Sequence, residues 1–190
     1  MARTTGNVAT GTSGEISEGT AETALKLMLM TGQKLAGKTL GIVGFGRIGR
    51  ETARRAHFGF GMKIVVHNRS AVPDEDLDKF GAEQVDDIDH LLGRSDFVSL
   101  HCPADTNNRH LIDALQLNKM KPDAYLINTA GSELVDEEAL ADALWHNTIA
   151  GAGLDVVHNE RAPCDRLRGC ENMVLLSHMG SISHSARAAV

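Results

Sequence analysis

Gly44, Gly46 and Gly49 stand in the hexapeptide Gly44-Phe45-Gly46-Arg47-Ile48-Gly49, where a short apolar run ends and a helical pattern begins. That spacing suits a pyrophosphate. The first glycine permits a tight turn, the second lets a phosphate approach the backbone, and the third lets the helix pack close to the strand. The amides that open the helix at Arg47 and Ile48, with the positive end of its dipole, then face the anion. Glycine turns also close strands for steric reasons alone. Here the strand before, the helix after, and a second strand ending at Asn68, 19 residues beyond Gly49, all agree with dinucleotide binding.

The end of that second strand bears on which dinucleotide. A site for NAD(H) usually has Asp or Glu there, to bind both ribose hydroxyls, whereas this chain reads Asn68-Arg69-Ser70. Nothing at that point repels a 2′-phosphate, and Arg69 with Ser70 can hold one by charge-assisted hydrogen bonds. NADP(H) is therefore favoured over NAD(H), against the plainer reading of Arg69 as a solvated surface residue. A third stretch, LINTAGSELVDEEAL, is an apolar strand that empties into Asn128-Thr129-Ala130-Gly131-Ser132. Ligands of open α/β sheets sit at such strand ends, yet no side chain from Thr129 to Ser132 carries a charge.

These segments must be held by regular elements, and the pattern supplies them. Residues 17–32 read as a helix capped by Ser17, with Ala21, Leu25, Met28 and Leu29 on one stripe. Apolar runs at 38–46, 62–68, 83–85, 96–103, 124–130, 149–157 and 173–178 read as strands, several of them buried on both faces. Helical stretches at 47–61, 73–80, 86–95, 109–121 and 136–147 separate them. The alternation predicts α/β architecture: a doubly wound parallel sheet in three layers, a Rossmann fold. Residues 37–190 form the dinucleotide-binding domain on this reading, and residues 1–36 an N-terminal segment with its helix.

With 190 residues, 42% hydrophobic and 23% charged, the chain can bury a full core. Its net charge of −6 argues against a nucleic-acid surface, which needs clustered Lys and Arg. No apolar stretch reaches the length of a membrane span, and the N-terminus has no signal-peptide core, so the expectation is a cytoplasmic protein with no membrane partner. Cys102, Cys164 and Cys170 lack the spacing of a disulfide framework or zinc site and read as free thiols; no metal is expected.

GKTLGIVGFGRIGRETA, DFVSLHCPAD, MKPDAYLINTA, LVDEEALADAL, IAGAGLDV and NMVLLSHMGSIS together resemble the coenzyme-binding domain of the D-isomer-specific 2-hydroxyacid dehydrogenases. That family includes glyoxylate/hydroxypyruvate reductases, phosphoglycerate dehydrogenase and formate dehydrogenase. The likeness runs from about Gly11 to Ser183. It implies that His178 exchanges a proton with the substrate hydroxyl and that Glu160 hydrogen-bonds its imidazole. It also implies that Asp155 lies near the nicotinamide amide, Cys102 and Pro103 beside the adenine, and Thr129 and Ala130 beside the nicotinamide ribose. Without the resemblance, His178 reads as an ordinary strand-end histidine and Asp155 as a loop cap. The prolines that usually accompany the His and Glu are Ser177 and Arg161 here.

The main departure lies in the uncharged turn. Where the family has an arginine that clamps the substrate carboxylate and polarises its carbonyl, this chain has Gly131, followed by Ser132. Arg161 is the one nearby candidate for a substitute. The resemblance further implies a substrate domain that is absent here, and a long tryptophan-containing excursion where MTGQKLAGKTL joins helix to strand directly. Two functions follow as expectations. One is an oxidoreductase moving hydride between NADP(H) or NAD(H) and a small 2-oxo or 2-hydroxy acid. The other is a dinucleotide-binding module without turnover. Former interdomain surface on the N-terminal helix is consistent with a homodimer.

Overall fold

The computed structural model describes residues 14–158 and 165–181. Seven parallel strands form one sheet: β1 (Thr39–Val43), β2 (Lys63–His67), β3 (Glu83–Val85), β4 (Phe97–Leu100), β5 (Tyr125–Asn128), β6 (Gly151–Leu154) and β7 (Met173–Leu175). Their order is β3-β2-β1-β4-β5-β6-β7. The chain winds outward from β1 in one direction and from β4 in the other, which leaves a crevice at the carboxyl ends of those two strands.

Helices cover both faces. α1 (Gly14–Met30), α2 (Arg47–Phe60) and α3 (Asp74–Asp78) lie on one side. There Leu27, Met28, Ala53 and Leu77 pack with Ile42, Ile64 and Ile127 of the strands. On the other side α4 (Ile88–Arg94), α5 (Ala114–Leu117), α6 (Glu137–Trp145) and α7 (Asp165–Arg168) bury Leu91, Leu117, Leu140 and Leu167 against Val43, Val65, Leu126 and Leu154. Neighbouring strand residues such as Leu126 and Ile127 thus serve opposite cores, as strand geometry demands. The buried residues of α2 are Gly49, Thr52, Ala53 and Ala56. Small side chains at this helical spacing let α2 lie close to both α1 and β1.

Three sequence expectations change. α1 begins at Gly14, so Ser17 does not cap it but lies inside it, buried. Leu29 is half exposed, while Thr20, Ala24 and Leu27 join the buried face. The stripe was drawn one residue too far round because α1 buries a wide face against two neighbours, α2 and the β5–β6 strands. The helix expected over 109–121 shrinks to α5, four residues long. Asp113 caps it by accepting N–H groups of Leu115 and Gln116, and the residues before it are tied elsewhere: Ile112 forms a parallel bridge with Val135, and His110 is left-handed.

The amino-terminal edge of the sheet is pinned by Asp96. Its carboxylate accepts the Thr39 N–H at 2.7 Å and meets Lys121 at 3.1 Å and Lys38 at 3.7 Å. Burial alone would raise this carboxyl, but the Thr39 amide and the two lysines hold it below the usual carboxylate range. Among the described residues, no helix is long and apolar enough to cross a membrane.

Candidate functional site

At the opposite, carboxyl-terminal edge, β1 runs through Gly44–Gly46 into α2. Gly44 has φ +95°, and a Cβ there would come within 2.6 Å of the Cys102 backbone nitrogen. Only glycine fits. A Cβ on Gly49 would sit 2.3 Å from the Gly44 carbonyl oxygen, so helix and turn touch backbone to backbone. Gly46 differs: its Cβ would meet nothing within 4 Å. It is the N-cap of α2, makes no side-chain cap, and no acidic residue follows in the first turn. The start of this 14-residue helix thus has no side chain of its own over it, and the Cβ direction at Gly46 is clear of protein atoms, an arrangement that suits the approach of an anion.

The turn is braced from β2. Asn68 accepts the Phe45 N–H at 3.1 Å through Oδ1 and donates through Nδ2 to the Ser70 carbonyl at 2.9 Å. Asn68 therefore builds the rim itself. The Arg69 side chain is 90% exposed and approaches Asp105 at 3.8 Å, and Ser70 is exposed beside it. Cys102 is half-buried; desolvation pushes its thiol up and nearby Asp105 adds to this, so it stays protonated at neutral pH.

Between α2, α1 and the ends of β4 and β5 lies a cleft of about 430 Å³ lined by Ser17, Thr20, Arg47, Ile48, His101, Cys102, Pro103, Thr129 and Ala130. Six of these were predicted from sequence, and one fold feature brings them together. Ser17, Thr20 and His101 were not. His101 gave one signal, its place directly after an apolar strand run, but nothing set it apart from eight other histidines. Its Nε2 pairs with the Ser99 hydroxyl at 2.9 Å. Its Nδ1, like the Thr129 Oγ1, is buried with no hydrogen-bond partner among the described residues. Burial drives the His101 pKa down to about 4, so the ring is neutral. The clear space at Gly46, the absence of a side-chain cap on α2 and the two buried polar atoms in the cleft wall without partners among the described residues together fit a dinucleotide.

The uncharged turn after β5 is organised by Asn128, which is buried. Its Oδ1 accepts the Ala130 N–H at 3.0 Å and its Nδ2 donates to the Gly131 carbonyl at 2.8 Å. Gly131 has φ −173°, an extended conformation open to any residue. A Cβ there would stand 3.1 Å from that of Ala104 and 3.4 Å from a Glu133 carboxylate oxygen.

After β7, His178 is exposed and left-handed, with φ +52°. Asp155, at the end of β6, is almost completely buried. Its carbonyl accepts the His178 N–H at 2.9 Å, and its two carboxylate oxygens accept the N–H groups of Met179 (2.6 Å) and Gly180 (2.8 Å). This is the loop-capping role open from sequence. Each oxygen keeps a second lone pair, compatible with a contact to a nicotinamide amide. Glu160, Arg161 and Cys164 lie outside the described residues.

Residues 12–180 match the family described as D-isomer specific 2-hydroxyacid dehydrogenase, NAD binding domain. The chain is 48% identical over 160 residues to a glyoxylate reductase of Thermococcus litoralis, covering 84% of this chain and 47% of that relative. It is 46% identical over 151 residues to glyoxylate/hydroxypyruvate reductase B of Pectobacterium carotovorum, covering 79% and 47%. Among solved structures it is similar to the apo form of Rhodotorula graminis D-mandelate dehydrogenase, with a TM-score of 0.86 and 30% identity over 91% of this chain and 59% of that one. The chain spans about half the length of the curated relatives it matches.

Proposed function

We propose, because this chain belongs to the D-isomer specific 2-hydroxyacid dehydrogenase family and carries its NAD-binding domain, that it binds a nicotinamide dinucleotide and serves hydride exchange with a small 2-oxo or 2-hydroxy acid. The observation that carries the reading is the Gly44–Gly49 turn, where Gly44 and Gly49 admit no Cβ and Gly46 opens α2 without a side-chain cap and with clear space at its Cβ position. Glyoxylate and hydroxypyruvate are the first substrates to try, since similar proteins are reductases of that kind. The bound cofactor would supply or accept the hydride.

The chain's own residues then have separate tasks. Gly44, Gly46, Arg47, Ile48 and Gly49 would hold the pyrophosphate, Cys102 and Pro103 would flank the adenine, and Thr129 and Ala130 would flank the second ribose. NADP(H) is preferred on this reading. The β2 end presents no carboxylate at Asn68-Arg69-Ser70, and the well-exposed Arg69 can turn from Asp105 to a 2′-phosphate. His178 would give a proton to the developing alkoxide, or take it back in the other direction, with Glu160 stabilising the imidazolium. Exposed Leu29 and Met30 on α1 and Phe58 on α2 would take part in self-association, which sedimentation velocity checks.

Gly131 favours the second reading, binding without turnover, since no residue of the turn Thr129–Ser132 carries a guanidinium to hold a carboxylate. One assay separates the two: NADPH or NADH oxidation with glyoxylate and with hydroxypyruvate. Turnover with NADPH ahead of NADH is expected. Saturable cofactor binding with no oxidation of either would support the module and sink the enzyme.

A further inference from the structure

Three consecutive amides, those of His178, Met179 and Gly180, all donate to one residue, Asp155. We propose that Asp155 is a positioning residue for His178: a buried latch that sets the turn presenting the imidazole. The proposal rests on the reaction assigned above to His178, and it gives Asp155 a task distinct from cofactor contact.

The geometry is specific. Asp155 follows β6, and its backbone N–H donates to the Asn128 carbonyl at 2.9 Å, so the latch is anchored to the β5 end as well. Asp155 is only 1% exposed, and a buried carboxylate is tolerated only while its oxygens accept good hydrogen bonds. If the turn swung away, both oxygens would lose their donors at once. The turn is met from its other side by α1, where the single proton of the Thr20 hydroxyl is shared between the Gly180 carbonyl at 3.1 Å and the Ile16 carbonyl at 2.9 Å. Gly180 is pressed between the two: a Cβ would stand 3.0 Å from Asp155 Oδ2 and 3.4 Å from Thr20 Cα. His178 keeps its left-handed backbone inside this clamp. Such a conformation is uncommon for a residue with a Cβ, and it persists where the surroundings over-determine it.

Asp155→Asn keeps shape and burial but turns one oxygen into a donor that faces another donor. Misplacing a reacting group by about 1 Å costs on the order of a hundred-fold in rate, so kcat should fall about a hundred-fold while the NADPH dissociation constant stays within about two-fold. Gly180→Ala should lower kcat in the same way from the other side of the clamp. Thr20→Val, which removes a neutral hydroxyl that the Gly180 carbonyl shares with that of Ile16, should lower it only about five-fold or less. A weaker NADPH affinity in Asp155→Asn with kcat unchanged would make Asp155 a cofactor contact and overturn the proposal. Amide hydrogen exchange read by NMR tests the latch without turnover: Met179 and Gly180 should be protected in the wild type and exposed in Asp155→Asn. Fast exchange at both in the wild type would overturn it. A wild type that binds NADPH but never oxidises it would overturn the reaction reading instead, leaving exchange to decide whether the latch exists.

Discussion

The two edges of the sheet are built on opposite rules. At the amino-terminal edge every polar group named is paired: Asp96 takes the Thr39 amide and two lysines, joining the starts of β1 and β4. At the carboxyl-terminal edge, β1 leads into a helix with no side-chain cap and a clear space over Gly46, and the ends of β4 and β5 carry two buried polar atoms without described partners. Leaving such groups unpaired costs stability, and a fold bears that cost where something else is to bind. The amino-terminal edge holds the protein together, and the carboxyl-terminal edge is kept open for a ligand.

The largest effect that would sharpen the contrast belongs to Gly44→Ala. It combines a left-handed residue with a Cβ overlapping the Cys102 backbone, and should cost about 3–4 kcal/mol of stability. Thermal melting checks this, and a melting point near that of the wild type would show the turn to be adaptable.

Acid should separate the edges next. The His101 pKa is depressed to about 4 in the folded protein, against roughly 6.5 unfolded, so the unfolded chain binds more protons between those values. The stability due to the neutral ring is fully present above about pH 6.5 and lost as pH falls towards 4, about 3 kcal/mol in all. His101→Gln should lack that slope in urea unfolding measured across this range. Asp96 behaves differently, because its folded pKa lies below the usual carboxylate value: its contribution survives to lower pH and goes only when the carboxyl itself is protonated.

Asp96→Ala should cost about 2 kcal/mol, since it strands the Thr39 N–H and two lysines, with no change in NADPH affinity. Weakened binding would break the division of labour between the edges. A smaller stability change is expected for Gly131→Arg. The extended backbone accepts it and only the Ala104 methyl must give way, so less than about 1 kcal/mol is lost. Its value lies in the assay: a faster glyoxylate rate would show that a missing guanidinium limits the chemistry.

Much of this was legible beforehand, for physical reasons. Strands such as β1 and β5 serve a core on each face and read as continuous apolar runs, and Gly44 and Gly49 are required by contacts that the hexapeptide spacing already encodes. Asp113 was harder: the apolar spacing of Leu111, Ile112 and Leu115 imitates a helix, while Ile112 is used for a bridge to Val135. His101 and the Asp155 latch depend on which strand ends lie side by side. Leu100 pairs with Asn128, and Asn128 with Leu154, so residues far apart in the chain meet just beyond those pairs, and no local pattern records it.

The most direct test of an edge kept open for a ligand is to titrate NADPH into the wild type and Gly46→Ala side by side, following protein fluorescence, with melting points measured in parallel. The Cβ of Gly46→Ala meets no protein atom, so melting should stay within about 0.5 kcal/mol of the wild type, while NADPH affinity falls at least about ten-fold because the methyl enters the phosphate approach. Equal affinity in the two proteins, or a wild type that binds neither NADPH nor NADH, would contradict the account.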